Sequence, residues 1–523
     1  MCASAISVPV LLLYSTMTGN SVSTVRAVGM MVFVMIADYL GKGYDSLNAL
    51  GGMCIWLLWE NPYLLDYAGF ILSVAAVIGV TTVGTAIQVE KPDEDRKKRK
   101  SSKKQKMLNA LYAGVGIWLF TLPLIAKYYY EIPVYSVFLN LMVLPLLKYL
   151  LLLGLLGGGI GNLGEMMVAD GAGWNVMSFM EIILFPCKWI LGLYELGANV
   201  CLRLPKSQLI TGEPSNARMI GFYLILFGFA VIWNMKKDKH MPRILGIIIA
   251  FVFLIIPTPK HFELDVLDVG QGDGIYICTE EGSSLFIDGG SSNIGGVGKY
   301  RILPFLKKKR VTHITYWFIS HADTDHISGL EEVLESGYQV DYLVFAAAGQ
   351  SDEAMSRLAS LAEAYGTKCI PMKTGDKLRF KETCITCLAP ENFGDSQDRN
   401  ELCLVLKYED SDFSGIFAGD ISGEVEQDLI NKYSGSPILD VKFYKVNHHG
   451  SKYSNIREWV EALSPEISVI SCSSTNRYGH PSEVVISNLK KCGSEIYYTM
   501  EVGQICVRKS KTGLTADGYL KDD

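Results

Sequence analysis

The sequence predicts a polytopic α-helical membrane domain over residues 1–258 joined to a soluble α/β domain over residues 259–523. Three observations predict it. Apolar residues make up 49% of the 523, high for a soluble chain, and they gather in long stretches before residue 257. After Pro257-Thr258-Pro259 the pattern turns to short strands and glycine-rich turns alternating with amphipathic helices, as in an α/β domain. In that second half His321, Asp323, Asp325 and His326 fall within six residues, a density of cation-binding side chains that solvated loops rarely carry.

The apolar stretches lie at 8–13, 27–40, 47–59, 69–87, 107–125, 134–156, 177–200, 219–233 and 244–256. Several reach the roughly 20 residues that cross a bilayer, and the set predicts about eight or nine spans. The first residues lack a basic segment ahead of an apolar core and a small-residue cleavage site, so 1–14 reads as membrane helix instead of secretory signal. Nine of the sixteen residues at 91–106 are Lys or Arg, and such a loop is retained on the cytoplasmic side. Alternating spans return the chain inside at Lys236-Lys237-Asp238-Lys239. A last span near 243–257 then carries residues 259–523 to the extracytoplasmic face. The stretch 157–174 has no Lys or Arg and is rich in Gly, which suggests a re-entrant or cavity-lining segment.

The net charge of −6 neither supports nor excludes a nucleic-acid partner, because an acidic total can hide a basic groove. Of twelve Cys, eight follow residue 260. Only Cys384 and Cys387 have a suggestive interval, and with no second pair they read as an incidental or disulfide feature ahead of a metal site.

In the second half, Phe262 to Val269 alternates in period two and runs into Gly270-Gln271-Gly272-Asp273-Gly274, a turn built for close backbone approach. A strand at 284–287 ends at Asp288-Gly289-Gly290. A short helix at 302–308 precedes the strand 314–319 and the ligand-rich loop, and a helix at 327–336 follows. Further downstream, 415–419 closes on Asp420, 440–447 on His448-His449-Gly450-Ser451, and 467–471 leads to Asn476-Arg477-Tyr478-Gly479-His480-Pro481. Open α/β sheets place their chemistry at such strand ends. Five of the eight histidines lie in these loops. Any one alone would be read as structural, but the set together reads as an active site.

His321-x-Asp323-x-Asp325-His326, Asp420, His448-His449-Gly450-Ser451 and Gly479-His480-Pro481, preceded by Asp268-Val269-Gly270-Gln271-Gly272-Asp273 and Asp288-Gly289-Gly290, resemble the metallo-β-lactamase fold. More narrowly they resemble the C-terminal domain of the ComEC family of DNA-uptake proteins. Arg26-Ala27, Asn61-Pro62, Gly69-Phe70-Ile71-Leu72-Ser73 and Asn140-Leu141-Met142-Val143-Leu144-Pro145 resemble that family's competence domain. The resemblance implies a multi-pass protein of the bacterial plasma membrane with a metallo-β-lactamase-like αββα sandwich after it. It implies a channel passing one strand of transforming DNA while a tethered nuclease degrades the other. DNA, membrane lipid and other DNA-uptake proteins are the implied partners. Family members usually carry an N-terminal region ahead of the point where Met1 stands, so this chain is expected to lack it.

The family's two-metal site, carried onto this sequence, implies that His321 and Asp323 serve one ion. Asp325, His326 and His480 serve the other, and Asp420 bridges. The usual second histidine of the loop is Asp323 here, and no histidine lies between His326 and His448. Asn400 is the nearest replacement ligand by position. A site so rich in oxygen favours manganese over zinc. Two such ions can hold a phosphodiester and lower the pKa of a shared water. His448 or His449 is then the expected proton donor to the leaving oxygen, with Asp325 also in the catalytic set. Asp288 is expected to orient a ligand histidine, and Ser451, Asn476 and Arg477 to contact phosphate. Asp268 and Asp273 are divided evenly between orienting ligands and stabilising their turn. Two alternatives stand beside the nuclease: a membrane-anchored metallo-hydrolase of another phosphoester or lactone, and a channel or scaffold whose metal site is inert.

Overall fold

Helices make up nearly all of the described residues in the first half of the chain in the computed structural model, which describes residues 2–84, 103–167, 173–235, 241–391, 398–510 and 513–520. The chain divides into two units, Met1–Ile256 and Pro257–Asp523. In the first, the principal helices are Cys2–Met17, Val22–Tyr39, Ser46–Glu60, Ala68–Ile78, Lys103–Tyr129, Ser136–Met167, Gly173–Arg203, Asn216–Met235 and Met241–Ile255. Strands β1 (Glu131–Pro133) and β2 (Gln208–Ile210) pair antiparallel among them. Three helical stretches, Val22–Tyr39, Leu108–Tyr129 and Ser136–Gly161, are long and apolar enough to cross a membrane, and four apolar helices are shorter. Phe138, Trp189 and Leu152 point outward with more than half their surface exposed. Such a surface is costly in water and suited to hydrocarbon.

Of the stretch 157–174, expected to be re-entrant or cavity-lining, residues 157–167 are helical. The helix Ser136–Met167 runs on unbroken, and residues 168–172 lie outside the described residues. A Cβ at Gly157 would collide with the Leu184 side chain, and one at Gly161 with Met180. These glycines therefore seat one helix against the next, as small residues do between membrane helices, whereas Gly158 and Gly159 face open space. Residues 91–102 of the first basic run and 236–239 of the second also fall outside the described residues.

The second unit is built from two sheets. Its strands are β3 (Glu263–Val266), β4 (Gly274–Cys278), β5 (Ser284–Asp288), β6 (Ile314–Ile319), β7 (Val340–Ala346), β8 (Lys368–Met372), β9 (Lys377–Phe380), β10 (Thr383–Ala389), β11 (Val405–Glu409), β12 (Ser414–Phe417), β13 (Phe443–Lys445), β14 (Ile467–Ile470), β15 (Glu495–Tyr498), β16 (Ile505–Ser510) and β17 (Gly513–Gly518). One sheet has the order β17-β16-β3-β4-β5-β6-β7-β8 and the other β15-β14-β13-β12-β11-β10-β9. Each is antiparallel at one end and parallel at the other: β5 to β8 run parallel, and so do β12 to β15.

Side-chain alternation along the strands explains the layering. Leu285, Ile287, Phe318 and Val344 of the first sheet meet Leu406, Phe417, Phe443 and Val469 of the second in one buried core. On the other face, Phe286 stacks on Trp317 at 4.3 Å, under Leu306, Leu330 and Leu358 from helices Leu303–Lys308, Thr324–Glu335 and Glu353–Ala364. Helices Gly423–Lys432, Arg457–Leu463 and Glu483–Lys491 cover the second sheet through Leu429, Trp459 and Leu489. Strands buried on both faces need near-continuous apolar runs, which Ile314 to Ile319 supplies with Thr315 as its one polar residue. The result is an αββα sandwich.

Cys384 and Cys387 both lie on β10 as free thiols, so they form no disulfide. The helix after β6 starts at Thr324, three residues earlier than the sequence suggests, so Asp325 and His326 occupy its first turn. Two glycines allow it to sit close to the turn after β5. A Cβ at Gly290 would strike the backbone at Asp325 and His326, and one at Gly329 the carbonyl of Gly289, to which the Gly329 N–H donates at 2.7 Å. Gly329→Ala is expected to cost about 1–3 kcal/mol through this overpacking and to weaken divalent-cation binding. Unfolding titration and a metal-binding isotherm on the same protein check both effects.

Candidate metal centre

The sequence places its chemistry at the C-terminal ends of the parallel strands, and the fold brings those ends to one place. β5 delivers Asp288 and β6 delivers Ser320 and His321. The turn after β12 delivers Asp420, and that after β13 delivers His448 and His449. Asp288, His448 and His449 hold left-handed backbone at φ 56°, 49° and 53°, a conformation costly for non-glycine residues and concentrated at functional sites.

Asp288 organises the first loop. Its Oδ1 accepts the Ser320 N–H at 2.8 Å and its Oδ2 the Ser320 hydroxyl at 2.9 Å. Oδ2 also stands 3.1 Å from His326 Nδ1, which turns His326 Nε2 toward Asp420 Oδ2 at 3.4 Å. His449 is held in the same way. Its Nδ1 faces the Ser471 carbonyl at 2.9 Å and Asp273 Oδ1 at 3.4 Å. Its Nε2 then points at Asp420 Oδ2 and Asp325 Oδ2, at 3.6 and 3.7 Å. Ligand atoms of His321, His326 and Asp420 converge in one group, and those of Asp325, His326 and His449 in another.

Electrostatics favour a cation here. The side chains of Asp273, Asp288 and Asp420 are almost fully buried, and unpaired buried carboxylates are strongly destabilising. Burial opposes ionisation of Asp420, but the charges of His449 and His326 outweigh it and hold the carboxyl well below its ordinary value. Burial likewise opposes protonation of His449, yet Asp420 and Asp273 carry that imidazole up to about 10. His326 is raised against burial by Asp420 and Asp288. Protons on these imidazoles stand where divalent ions would neutralise the same carboxylates. The buried Nε2 atoms of His321, His326 and His449, with Oδ1 of Asp420, have no hydrogen-bond partner. Residues with that donor set fit divalent metal.

The remaining expected residues fall into place around this core. Asp323 stands between Arg399 and the ligand histidine: its Oδ1 meets Arg399 Nη1 at 2.7 Å and its Oδ2 stands 3.5 Å from His321 Nε2. Asn400 has a buried Oδ1 that also lacks a hydrogen-bond partner. His480 lies at the rim with its ring 5.7 Å from that of His448. Burial, then the charges of His449 and His448, pull it down to about 4. His448 is 29% exposed, with Nε2 3.8 Å from Asp420 Oδ2. Asp268 belongs to its turn, accepting the Gly270 N–H at 3.1 Å and pairing with Arg301 at 2.8 Å. Ser451 is buried and accepts the Tyr453 N–H at 3.3 Å. Asn476 clamps its own loop through Tyr478, His480 and the Ser473 carbonyl, while Arg477 is exposed beside it.

Sequence reasoning missed three supporting groups. Lys445 is buried and spans both Asp273 oxygens at 2.7 and 2.8 Å; a lysine inside the apolar strand Phe443-Tyr444-Lys445 was the available signal. Arg399 carried no signal of its own. Nor did Glu426, which sits on an ordinary amphipathic helix yet fastens the histidine turn. It accepts Asn447 Nδ2 at 2.8 Å and the N–H groups of Asn455 and Ile456 at 2.6 and 2.9 Å. Burial raises Glu426 to about 7 against these three donors. The folded state thus binds this proton more tightly than the unfolded chain, so its contribution is full below pH 4.5 and fades as pH rises through about 7. Wild type should lose about 3 kcal/mol relative to Glu426→Gln between pH 4.5 and 7.5. Urea unfolding of both proteins across that range checks the difference.

Comparison with known proteins now bears on the whole chain. Residues 1–236 match the model of the "Competence protein" family, and residues 285–464 that of the "Beta-lactamase superfamily domain". ComE operon protein 3 of Bacillus subtilis is 26% identical over 96% of this chain and 63% of its own length. Recombination protein 2 of Haemophilus influenzae is 22% identical over 95% of this chain and 62% of its own. The chain therefore spans a little under two thirds of these relatives. Among solved structures, the metallo-beta-lactamase fold protein YhfI from Bacillus subtilis is 12% identical with a TM-score of 0.31, covering 45% of this chain and 96% of its own. With a match to the competence protein family model in its first half, a match to the beta-lactamase superfamily domain model in its second and relatives that run through both, the chain has the two-domain make-up of the competence proteins it is similar to.

Proposed function

We propose that this chain acts in DNA uptake, its helical unit passing one strand across the bacterial plasma membrane and its second unit acting as a metal-dependent phosphodiesterase on the other. The observation that carries the enzymatic half is the convergence of His321, Asp325, His326, Asp420 and His449, with buried, unpartnered ligand atoms on the three histidines and Asp420. The relatives support the competence role, and the three apolar helices support a membrane location.

In this reading Asp325, His326 and His449 hold one ion, and His321 with Asp420 holds the other, Asp420 being shared. His449 thus moves from proton donor to ligand, and Asp323 and His480 move from ligands to the surroundings. The donor set mixes carboxylate oxygen with imidazole nitrogen, for which manganese remains favoured over zinc. Divalent ions held there would offset phosphate charge and lower the pKa of water. The protein's own part is to hold geometry: Asp288 aims His326, and Asp273 backed by Lys445 aims His449. His448, partly exposed at the edge of Asp420, is the group placed to pass a proton to the leaving oxygen.

Full-length protein in detergent, loaded with manganese, should cut DNA without sequence preference and stop on chelation. Asp420→Ala should lose bound metal and cleavage together, by about 100-fold or more. His448→Ala should keep its metal while turnover falls about 100-fold. Metal content by mass spectrometry beside a cleavage assay separates the two. A metal-loaded wild type that hydrolyses no phosphodiester under any divalent ion sinks the nuclease reading.

The basic runs at 91–106 and 236–239 support an extracytoplasmic second unit. Tyr300 is 69% exposed, so Tyr300→Cys should react with a membrane-impermeant maleimide in intact cells, above the background of the parent protein. Reaction only after permeabilisation reverses the orientation.

A further inference from the structure

Beside the ligand cluster, on the His321 side, lies a cavity of about 600 Å³, a size that takes small-molecule ligands. We propose that it is a nucleoside subsite: the uncharged base and sugar of a phosphodiester occupy it while the phosphate lies over the metal ligands. The inference rests on the phosphodiester reading of the centre and names the part of the substrate that is held.

Three features of the lining point to this chemistry. Ala346, Met355 and Leu402 give the cavity an apolar wall, with Ala346 and Met355 themselves buried in the core. Against that wall stands Arg399, fixed by Asp323 Oδ1 at 2.7 Å and Asp352 Oδ2 at 2.8 Å and still 39% exposed. A guanidinium pinned by its edge leaves its planar face for stacking on a heterocycle. Asp352 is itself immobilised, since its Oδ1 caps the helix Glu353–Ala364 by accepting the Ala354 and Met355 N–H groups at 2.8 and 3.0 Å. Ser351 and Glu353 at the mouth offer a hydroxyl and a carboxylate to the polar edge of a base.

Charge decides which part of the substrate enters. Among the described residues Asp352 and Glu353 outnumber the one cation of the lining, and Arg399 is already committed to Asp323 and Asp352. A second phosphate would meet net negative charge, so a neutral group is selected. The buried His321 that closes one side of the cavity also belongs to the converging ligands, which puts the subsite next to the scissile position.

The test is titration calorimetry on the manganese-loaded full chain in detergent with thymidine 5′-monophosphate, thymidine 3′-monophosphate and methyl phosphate. At least one thymidine ester should bind about tenfold or more tightly than methyl phosphate. Leu402→Trp, which fills the cavity, should bring that ester to within about twofold of methyl phosphate, whose own affinity is unchanged. If Leu402→Trp does not fold, Ser351→Trp at the exposed mouth blocks the same space. Equal binding of all three compounds to wild type, or a preference that survives the filling, overturns the subsite. Turnover of bis(p-nitrophenyl) phosphate, followed in parallel, keeps the two readings apart. Turnover without nucleoside preference removes the subsite and leaves the hydrolase, while preference without turnover supports the subsite and removes the hydrolase.

Discussion

Buried negative charge is the constraint on which the second unit depends. Asp273, Asp288 and Asp420 are almost wholly withdrawn from water, and Asp325 opens onto the same space, its Oδ2 facing His449. Carboxylates so placed are tolerable only when cations or donors surround them. Lys445 answers Asp273, Ser320 answers Asp288, and the imidazoles of His326 and His449 answer Asp420. The same arrangement that makes the fold possible makes the centre receptive to divalent ions, because a metal replaces protons the carboxylates already attract.

Holding those groups in register requires strained backbone and support from a distance. The left-handed turns at Asp288, His448 and His449 persist because their surroundings over-determine them. Asp288 is tied to Ser320 on one side, while its carbonyl accepts Trp317 Nε1 at 2.7 Å on the other. The histidine turn is held by Glu426 through Asn447, and Tyr444 Oη donates to Asn455 Oδ1 at 2.6 Å behind it. Rigid sheets thus carry the loops, and buried polar contacts fix the loops on the sheets.

The helical unit answers to a different solvent. Its outward apolar surface and glycine-mediated seam at Gly157 and Gly161 follow the rules of packing in hydrocarbon, where close backbone approach replaces the hydrophobic drive. Two polar side chains within it find internal partners: Arg26 Nε donates to Ser73 Oγ at 2.7 Å, and Tyr194 donates to the Val143 carbonyl at 2.8 Å. One chain therefore joins two units whose stability has different physical origins.

Much of this was legible in the amino-acid order alone. Local patterns do not need the fold to be read: apolar length marks membrane helices, continuous apolar strands mark a doubly covered sheet, and the run from His321 to His326 with Asp420 and the two histidines marks a ligand set. What tertiary structure alone decided was which side chain faces which. Asp323 and Asp325 sit two residues apart in one motif, but the turn from β6 into the helix sends the first to Arg399 and the second to His449. His449 and His480 are equivalent by composition, yet the left-handed turn buries the first against Asp420 and leaves the second at the rim. Gly157 carries the same letter as Gly158 but packs where its neighbour faces open space. Spacing along a chain fixes the neighbours of a residue to within a turn, whereas the direction of its side chain depends on backbone angles and on partners contributed by elements distant along the chain.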